Sequence, residues 1–398
     1  MKSIIFLLIA LIYCAEKSDV YMTKTITPER MVDMLKILNV ELKGKVGLKV
    51  HSGEPNGPYF LRPDHDYTGG TFLECNVAYT SDRLTTEGHK KTLQTNGWYD
   101  NNRRIEIMDE DSSQDISFNV DPYNKINVTY AGKNLLNYDS CVVLSHFKGH
   151  GMGGYGGALK QLSIGFASTQ GKTWIHTAGA SLDYKQLFPQ KASDEDFTTS
   201  MADAASAIVK YFKSKGDIVY INVMVNISLS CDCAGKSAPA PKIRDIGILA
   251  STDPVALDMA CLDLIKATSE EGTQEFLDQV ARLDGENTIY KAEALGIGTT
   301  KYNLINIDED GGEESEDESE GSEGGEKEGE GSEGGEEGER KEGEREEEKE
   351  DEREKEREDE SEDESETSDE PDTSSGNPGS FIGWNYNLIL LVLLLFVK

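Results

Sequence analysis

A 398-residue chain with 74 acidic against 40 basic side chains has no basic footprint for phosphate backbones, so no nucleic-acid partner is expected. The net charge of −34 is concentrated. Residues 308–372 hold 37 acidic and 8 basic side chains, a net of −29, and the remainder is nearly balanced.

The chain begins Met1-Lys2-Ser3, runs apolar over 4–12 and reaches Tyr13-Cys14-Ala15. A charged start, a short apolar core and a small exit residue predict a signal peptide over 1–15. Two sequons, Asn127-Val128-Thr129 and Asn226-Ile227-Ser228, would be glycosylation acceptors on that route.

Thr27-Pro28-Glu29 has the form of a helix start, and Met31, Met34, Leu35 and Leu38 follow at helical spacing. A strand is predicted over 46–50. The Gly/Pro-rich loop after it carries His51, Glu54 and Arg62, and ligands of α/β proteins bind at such strand ends. Further strands are predicted over 71–75, 104–108, 116–120 and 125–129, with a helix over 85–93. The apolar run 141–145 leads into the glycine-dense stretch KGHGMGGYGG. Beyond it, Asp194 is read as the cap of a long helix with an apolar face from Phe197 to Phe212. Residues 218–224 and 246–250 read as buried strands. Asp253-Pro254 opens a helix to about 267; a helix over 288–294 and a strand over 302–307 follow. Strands alternating with helices predict an α/β fold over 16–307, a mainly parallel sheet with helices on both faces, in one lobe or two.

Residues 308–372 consist almost wholly of Glu, Asp, Gly, Ser, Lys and Arg. With little to bury they are expected to be a disordered acidic stalk. Ser374-Ser375-Gly376, a spacer over 377–387 and an apolar end over 388–397 read as a GPI-anchor signal or a membrane tail over 373–398. The predicted setting is therefore extracytoplasmic, at the cell surface or another membrane, with the C-terminal anchor as membrane partner. No protein partner is indicated.

Removal of Cys14 with the signal leaves five cysteines, an odd number and no disulfide framework. Gly151-Met152-Gly153-Gly154-Tyr155-Gly156 has the glycine pattern of a dinucleotide loop. Five residues separate the strand from the first glycine, however, and no acid follows about twenty residues on, which excludes that reading. Glycine amides ahead of a helix remain an anion site for phosphate or carboxylate, with Gly153, Gly154, Gly156, Gly157 and Lys160 as cofactor-binding candidates. Gly235-Lys236-Ser237 lacks the upstream glycine of a phosphate loop. His146 and His150, four apart, are candidate proton carriers, and His176 is a candidate metal ligand. Cys231 and Cys233, flanking Asp232, have the spacing of a soft-metal or iron–sulfur ligand pair, or of oxidisable or buried thiols. Whether any cofactor is bound stays open; a metal centre (nickel, zinc or iron–sulfur) is the class these donors indicate.

The runs SHFKGHGMGGYGGALKQLSIGFAS, GKTWIHTAG, YINVMVNISLSCDC and DIGILASTDPVALD closely resemble the family of domain of unknown function 362 over residues 20–307. These are mostly bacterial proteins, some occurring alongside ferredoxin-type iron–sulfur domains, with no settled activity. More narrowly, His150, Lys160 and His176, with Gly154-Tyr155 and Gly156-Gly157 between them, are similar to the core motif of nickel-pincer lactate racemases. That resemblance implies an acid/base role for His150, covalent attachment of a pyridinium cofactor at Lys160 and nickel ligation by His176, for racemisation of a 2-hydroxy acid by hydride transfer. Three functions are carried forward: a small-molecule or metallocofactor site at the glycine loop, a non-catalytic surface binding protein, and a redox protein using Cys231 and Cys233.

Overall fold

The computed structural model describes residues 17–63, 71–98, 104–110 and 115–308. The signal peptide, nearly all of the acidic stalk and the C-terminal anchor expected from the sequence lie outside the described residues. No helix among the described residues is long and apolar enough to cross a membrane.

The strands are β1 (Ser18–Thr23), β2 (Val46–Lys49), β3 (Thr71–Glu74), β4 (Arg104–Ile107), β5 (Ile116–Asn119), β6 (Val128–Ala131), β7 (Ser140–His146), β8 (Lys148–His150), β9 (Gly154–Gly156), β10 (Ile218–Met224), β11 (Gly247–Ser251) and β12 (Tyr302–Asn306). Eight of them form one sheet in the order β12-β1-β11-β10-β7-β2-β3-β4. From β4 to β10 neighbouring strands run parallel; β11 is antiparallel to both β10 and β1. The expected mainly parallel α/β sheet is present. The sheet belongs to one compact unit, so a division into two lobes is not seen.

Period-two alternation explains why β7 and β10 are buried throughout. Cys141, Val143, Ile218 and Tyr220 face one core cluster, while Val142, Leu144, Val219 and Ile221 face another. Side chains on both faces are then withdrawn from water, and the strand reads as a continuous apolar run. Truncating such a residue, Ile221→Ala for example, costs about 2–5 kcal/mol through lost burial and a cavity.

Helices cover the two faces. Helix α1 (Pro28–Ile37) buries Met31, Met34 and Leu35 against the second cluster, joined by Leu93 of α2 (Thr86–Thr95). On the other face lie α4 (Asp194–Lys215), α5 (Pro254–Ala267), α6 (Thr273–Arg282) and α7 (Asn287–Ala294). A shorter helix, α3 (Thr169–His176), follows a turn at Ala158–Lys160 that continues as a π-helical turn, Gln161–Gly165. Asp253 caps α5 as expected, its Oδ1 accepting the Val255 and Ala256 amides at 2.8 and 2.9 Å.

Three local expectations are corrected. Ser193, not Asp194, is the cap of α4: its hydroxyl accepts the Asp196 amide, and Asp194 sits in the first turn. The strand expected over 125–129 begins at Val128, because the buried Asp203 carboxylate takes the Asn124, Lys125 and Ile126 amides. Finally, β1, β8, β9, α3 and α6 were not expected from the sequence; α6 starts at Gly272 without a side-chain cap, so the usual start signal is missing there.

Candidate functional site

Parallel strands point their carboxyl ends the same way, and the loops leaving those ends meet around a cavity of about 300 Å³. His51 follows β2, Glu74 ends β3, His150 follows β7, and Cys231 and Cys233 follow β10; all five line the cavity. Sequence separation hides this convergence. Parallel topology produces it, since each crossover returns the chain to the same sheet end.

The wall after β2 and β3 is a closed charge network. The buried Glu74 carboxylate accepts from Lys49 Nζ (2.9 Å), the Ser52 amide and hydroxyl (2.7 and 2.8 Å) and Arg83 (3.3 Å). Burial alone would raise the Glu74 carboxyl, but Lys49, His51 and Arg83 hold it well below the usual carboxylate range. Arg83 also binds Glu54 (3.2 Å) and donates from Nε to His89 Nε2 (3.2 Å). With Asn76 Oδ1 at its Nδ1, His89 carries its proton on Nδ1, and burial holds the ring well below the ordinary imidazole range. His51 Nδ1 lies 3.7 Å from Glu74, and the side chain is 19% exposed. Of the three loop residues noted in the sequence, His51 lines the cavity and Glu54 braces Arg83. Arg62 instead donates to the Gly57 carbonyl and is not a lining residue.

The wall after β7 and β10 is different. One donor atom each from His150, Cys231 and Cys233 falls within 4.8 Å of the others. Met152 and Gly153 donate their amides to His150 Nδ1 at 3.3 and 3.0 Å, which assigns the neutral ring's proton to Nε2. Burial and the charge of Lys160 lower His150 from its ordinary value. The Cys231 thiol is drawn well below the usual thiol range, first by its hydrogen bond with the Cys233 side chain and then by Lys160 and His150, against the cost of burial. Cys233 moves the other way for the reciprocal reason. The two thiols therefore titrate as a coupled pair, with Cys231 the one that gives up its proton first. Cys231 is buried and Cys233 exposed, and all cysteines of the described residues are free thiols.

Lys160 is half-buried, lines the cavity and has no carboxylate within ion-pairing distance among the described residues. His176 on α3 donates from Nδ1 to the Lys172 carbonyl (2.6 Å) and stacks on Phe197 with centroids 4.6 Å apart. That bond leaves the Nε2 lone pair free, the arrangement usual for a metal-binding imidazole. Burial pushes His176 down to about 3, with His150 and Lys160 adding to the effect, so the ring is neutral. Lys172 also lines the cavity, but its ammonium donates to the Ala167 carbonyl at 2.5 Å.

One expectation about this loop fails. His146 does not line the main cavity. Its Nδ1 faces both oxygens of Asp232 at 3.1 Å and its Nε2 the Val225 carbonyl at 2.7 Å, so neither nitrogen is free to carry protons to a ligand. Asp232 also takes Lys148 at 2.7 Å. His146 is thus a strut that fixes the Cys231-Asp232-Cys233 turn. The amides that follow the glycine run are also taken. The Ala158 and Leu159 amides already donate to the Asp258 carboxylate at 2.8 and 3.0 Å. Gly157 is required because a Cβ there would sit 2.5 Å from Asp258. Gly154, at φ +77, lets the hairpin of β8 and β9 pass against the α-carbons of Val280 and Gly285. Gly153 and Gly156 pack beside His150 and Lys160. The glycines shape the wall, and a carboxylate of the protein itself takes the two amides after them.

The residues that sequence reasoning missed are Glu74, Arg83 and Tyr79 in the charged part, and Met152, Ile164, Leu187 and Phe188 in the apolar part. An acid at the end of an apolar strand, as in TFLE, was the one available signal.

Among solved structures, the lactate racemase apoprotein of Thermoanaerobacterium thermosaccharolyticum is similar at 11% identity and a TM-score of 0.35, covering 62% of this chain and 56% of that one. A structural-genomics protein of Thermotoga maritima is similar at 10% identity and 0.34, covering 68% and 60%. The chain thus spans less than two thirds of either structure's length. No curated protein matches it. The model of the family described as domain of unknown function (DUF362) matches residues 46–263, more than half of the sequence, and the chain belongs to that family.

Proposed function

We propose that the domain binds a thiophilic metal ion through Cys231, Cys233 and His150, at the floor of a cavity that receives a small anionic molecule. The observation that carries this is the approach of three donors to within 4.8 Å of one another on the wall whose cation, Lys160, has no carboxylate partner among the described residues. Two thiolates and an imidazole suit zinc or a metal of similar softness, and three protein ligands leave a coordination position for substrate or water. When bound, such an ion would polarise an oxygen of the ligand. Lys160 would hold the ligand's negative charge, and His176 Nε2 would accept a proton or provide a further ligand.

A second reading draws on the His150 tautomer. With Nδ1 taken by two amides, Nε2–H donates toward Cys231, the geometry of a thiolate–imidazole pair working without metal. Metal ligation through Nε2 requires the ring proton to move to Nδ1 and the Met152 and Gly153 amides to give up that nitrogen. Metal analysis of the purified full-length chain separates the readings. Stoichiometric zinc lost in Cys231→Ser and Cys233→Ser supports the first. Nickel lost in His176→Ala supports a racemase-like centre on 2-hydroxy acids, with Lys160 as the cofactor's attachment. Iron with labile sulfide lost in Cys233→Ser supports a redox protein. A metal-free chain whose Cys231 is alkylated far faster than its other thiols supports the thiolate pair. If no metal, no fast thiol and no anion binding is found, the site is an inherited scaffold in a surface binding protein.

The proposal extends to location: signal peptide over 1–15, folded domain over 16–307, acidic stalk over 308–372 and anchor signal over 373–398. An extracytoplasmic, membrane-tethered setting is supported by the end segments and by the exposure of Asn127. Release of the protein from membranes by a phosphatidylinositol-specific phospholipase checks the GPI form; retention after that treatment but not after detergent indicates a spanning tail.

A further inference from the structure

The cavity carries two kinds of wall that a small polar acid would not use together. Lys160 and the thiols make up its charged end. Met152 and Ile164 are apolar, partly buried and packed on a satellite core cluster formed with Phe197 and Met201 of α4. Leu187 and Phe188 complete that apolar surface. Leu187 is buried at 2% and anchors the turn, whereas its neighbour Phe188 is 64% exposed. A large aromatic side chain held beside a cavity and left in water is a poor packing element but a good ligand platform, since a ring offers area and a π face at low entropy cost. The cavity of about 300 Å³ is also larger than a three-carbon acid needs, and reaches the range of ~300–1,000 Å³ typical of ligands with a substantial apolar body.

We infer that the ligand is an amphipathic carboxylic acid, whose carboxylate is taken by Lys160 and whose aryl arm lies along Met152, Ile164 and Leu187 against Phe188. The inference rests on the reading of Lys160 as the anion's partner in the proposed function, and it names the substrate class of that same site. Arg83, Lys172 and His51 do not compete for the carboxylate. Arg83 is held by Glu54, Glu74 and His89, Lys172 by the Ala167 carbonyl, and His51 lies beside Glu74.

The test compares propionate with 3-phenylpropionate, which share a carboxylate and differ by the aryl arm. Both are titrated calorimetrically into the full-length chain, its Phe188→Ala variant and its Lys160→Met variant, with metal content measured on each sample. The expected result is about tenfold or tighter binding of 3-phenylpropionate over propionate in the parent chain, given the area an aryl ring buries. That ratio should fall to within about threefold in Phe188→Ala, whose metal content and melting temperature stay at the parent values, and Lys160→Met should weaken both acids about tenfold or more. Equal affinities in the parent chain, a ratio unchanged in Phe188→Ala, or binding of neither acid would overturn the inference. A metal-free chain that keeps the Phe188-dependent preference would sink the metal reading and leave this one standing; a metal-loaded chain without the preference would do the reverse.

Discussion

The two charged walls of the cavity contain similar side chains in opposite conditions. After β2 and β3, Glu74, Arg83, Glu54 and Lys49 are bonded to one another, and His89 has a partner on each ring nitrogen. After β7 and β10, Lys160 has no carboxylate at ion-pairing distance among the described residues, His176 keeps a free lone pair, and the Cys231 thiol is drawn below its usual range. A buried charge costs several kcal/mol unless it is paired. A wall whose charges are paired is therefore scaffold, and one whose charges are held open has capacity left for a ligand. His146 and His150 make the same contrast within five residues: the first is bound at both nitrogens, the second only at Nδ1, with a donor atom within 4.8 Å of two thiols.

Mutations on either side should separate accordingly. Glu74→Ala breaks the paired wall at its centre, leaving the buried Lys49 without its carboxylate and Arg83 with Glu54 alone, so a loss of about 3–5 kcal/mol is expected in denaturant melts. A loss below about 1 kcal/mol would contradict the assignment of that wall to the scaffold. The same network predicts acid sensitivity. The folded carboxyl of Glu74 titrates below its unfolded value, so its contribution is complete above the ordinary carboxylate range and is lost as pH falls through the depressed folded value.

Asp258, which caps the turn carrying Lys160, should behave with the opposite sign. Burial pushes its carboxyl up to about 6 against the pull of Asn222 and the Ala158 and Leu159 amides. Its contribution is full below the unfolded value and lost as pH rises through about 6, a change on the order of 3 kcal/mol. Unfolding midpoints at pH 4.5 and 7.5 in the parent and Asp258→Asn chains measure it, the variant lacking that component. His146→Ala should cost about 1–3 kcal/mol by leaving Asp232 and the Val225 carbonyl short of a donor. It should also slacken the Cys231-Asp232-Cys233 turn, read as slower or less uniform thiol alkylation. Smallest is Lys160→Met: because the ammonium has no carboxylate partner among the described residues, stability should move by no more than about 0.5 kcal/mol, while anion binding weakens about tenfold or more.

Much of the sheet was legible because burial on both faces writes itself into composition. Residues 218–224 are found as a strand over the expected span, and Asp253-Pro254 announced α5. The site was legible only in fragments. The sequence points to His150, Lys160, His176 and the two cysteines, and the fold brings all five to one cavity. It could not show that His146 would be claimed by Asp232, 86 positions away, nor that Asp258 would take the Ala158 amide just after the glycines from 100. Glycine density signals close approach, but what approaches is decided by tertiary packing: here Val280, Gly285 and Asp258 rather than a phosphate. Phe188 carried no signal at all, because an exposed aromatic in a loop has no periodicity.

The seat of β1 in the sheet has a temporal consequence. It pairs with β11 through Tyr21 and Ala250 and with β12 through Ser18 and Tyr302, so the first described strand has both neighbours among the last. At ~5–20 residues per second, a ribosome needs on the order of ten seconds or more to supply them. Until then Val20 and Met22, both buried at the end, have no partner strand, and the nascent chain carries an unpaired apolar ribbon at its front. Pairings this distant also slow folding. Completion of the sheet is thus a late event, and the interval before it is when this protein is most open to misassociation or to a chaperone.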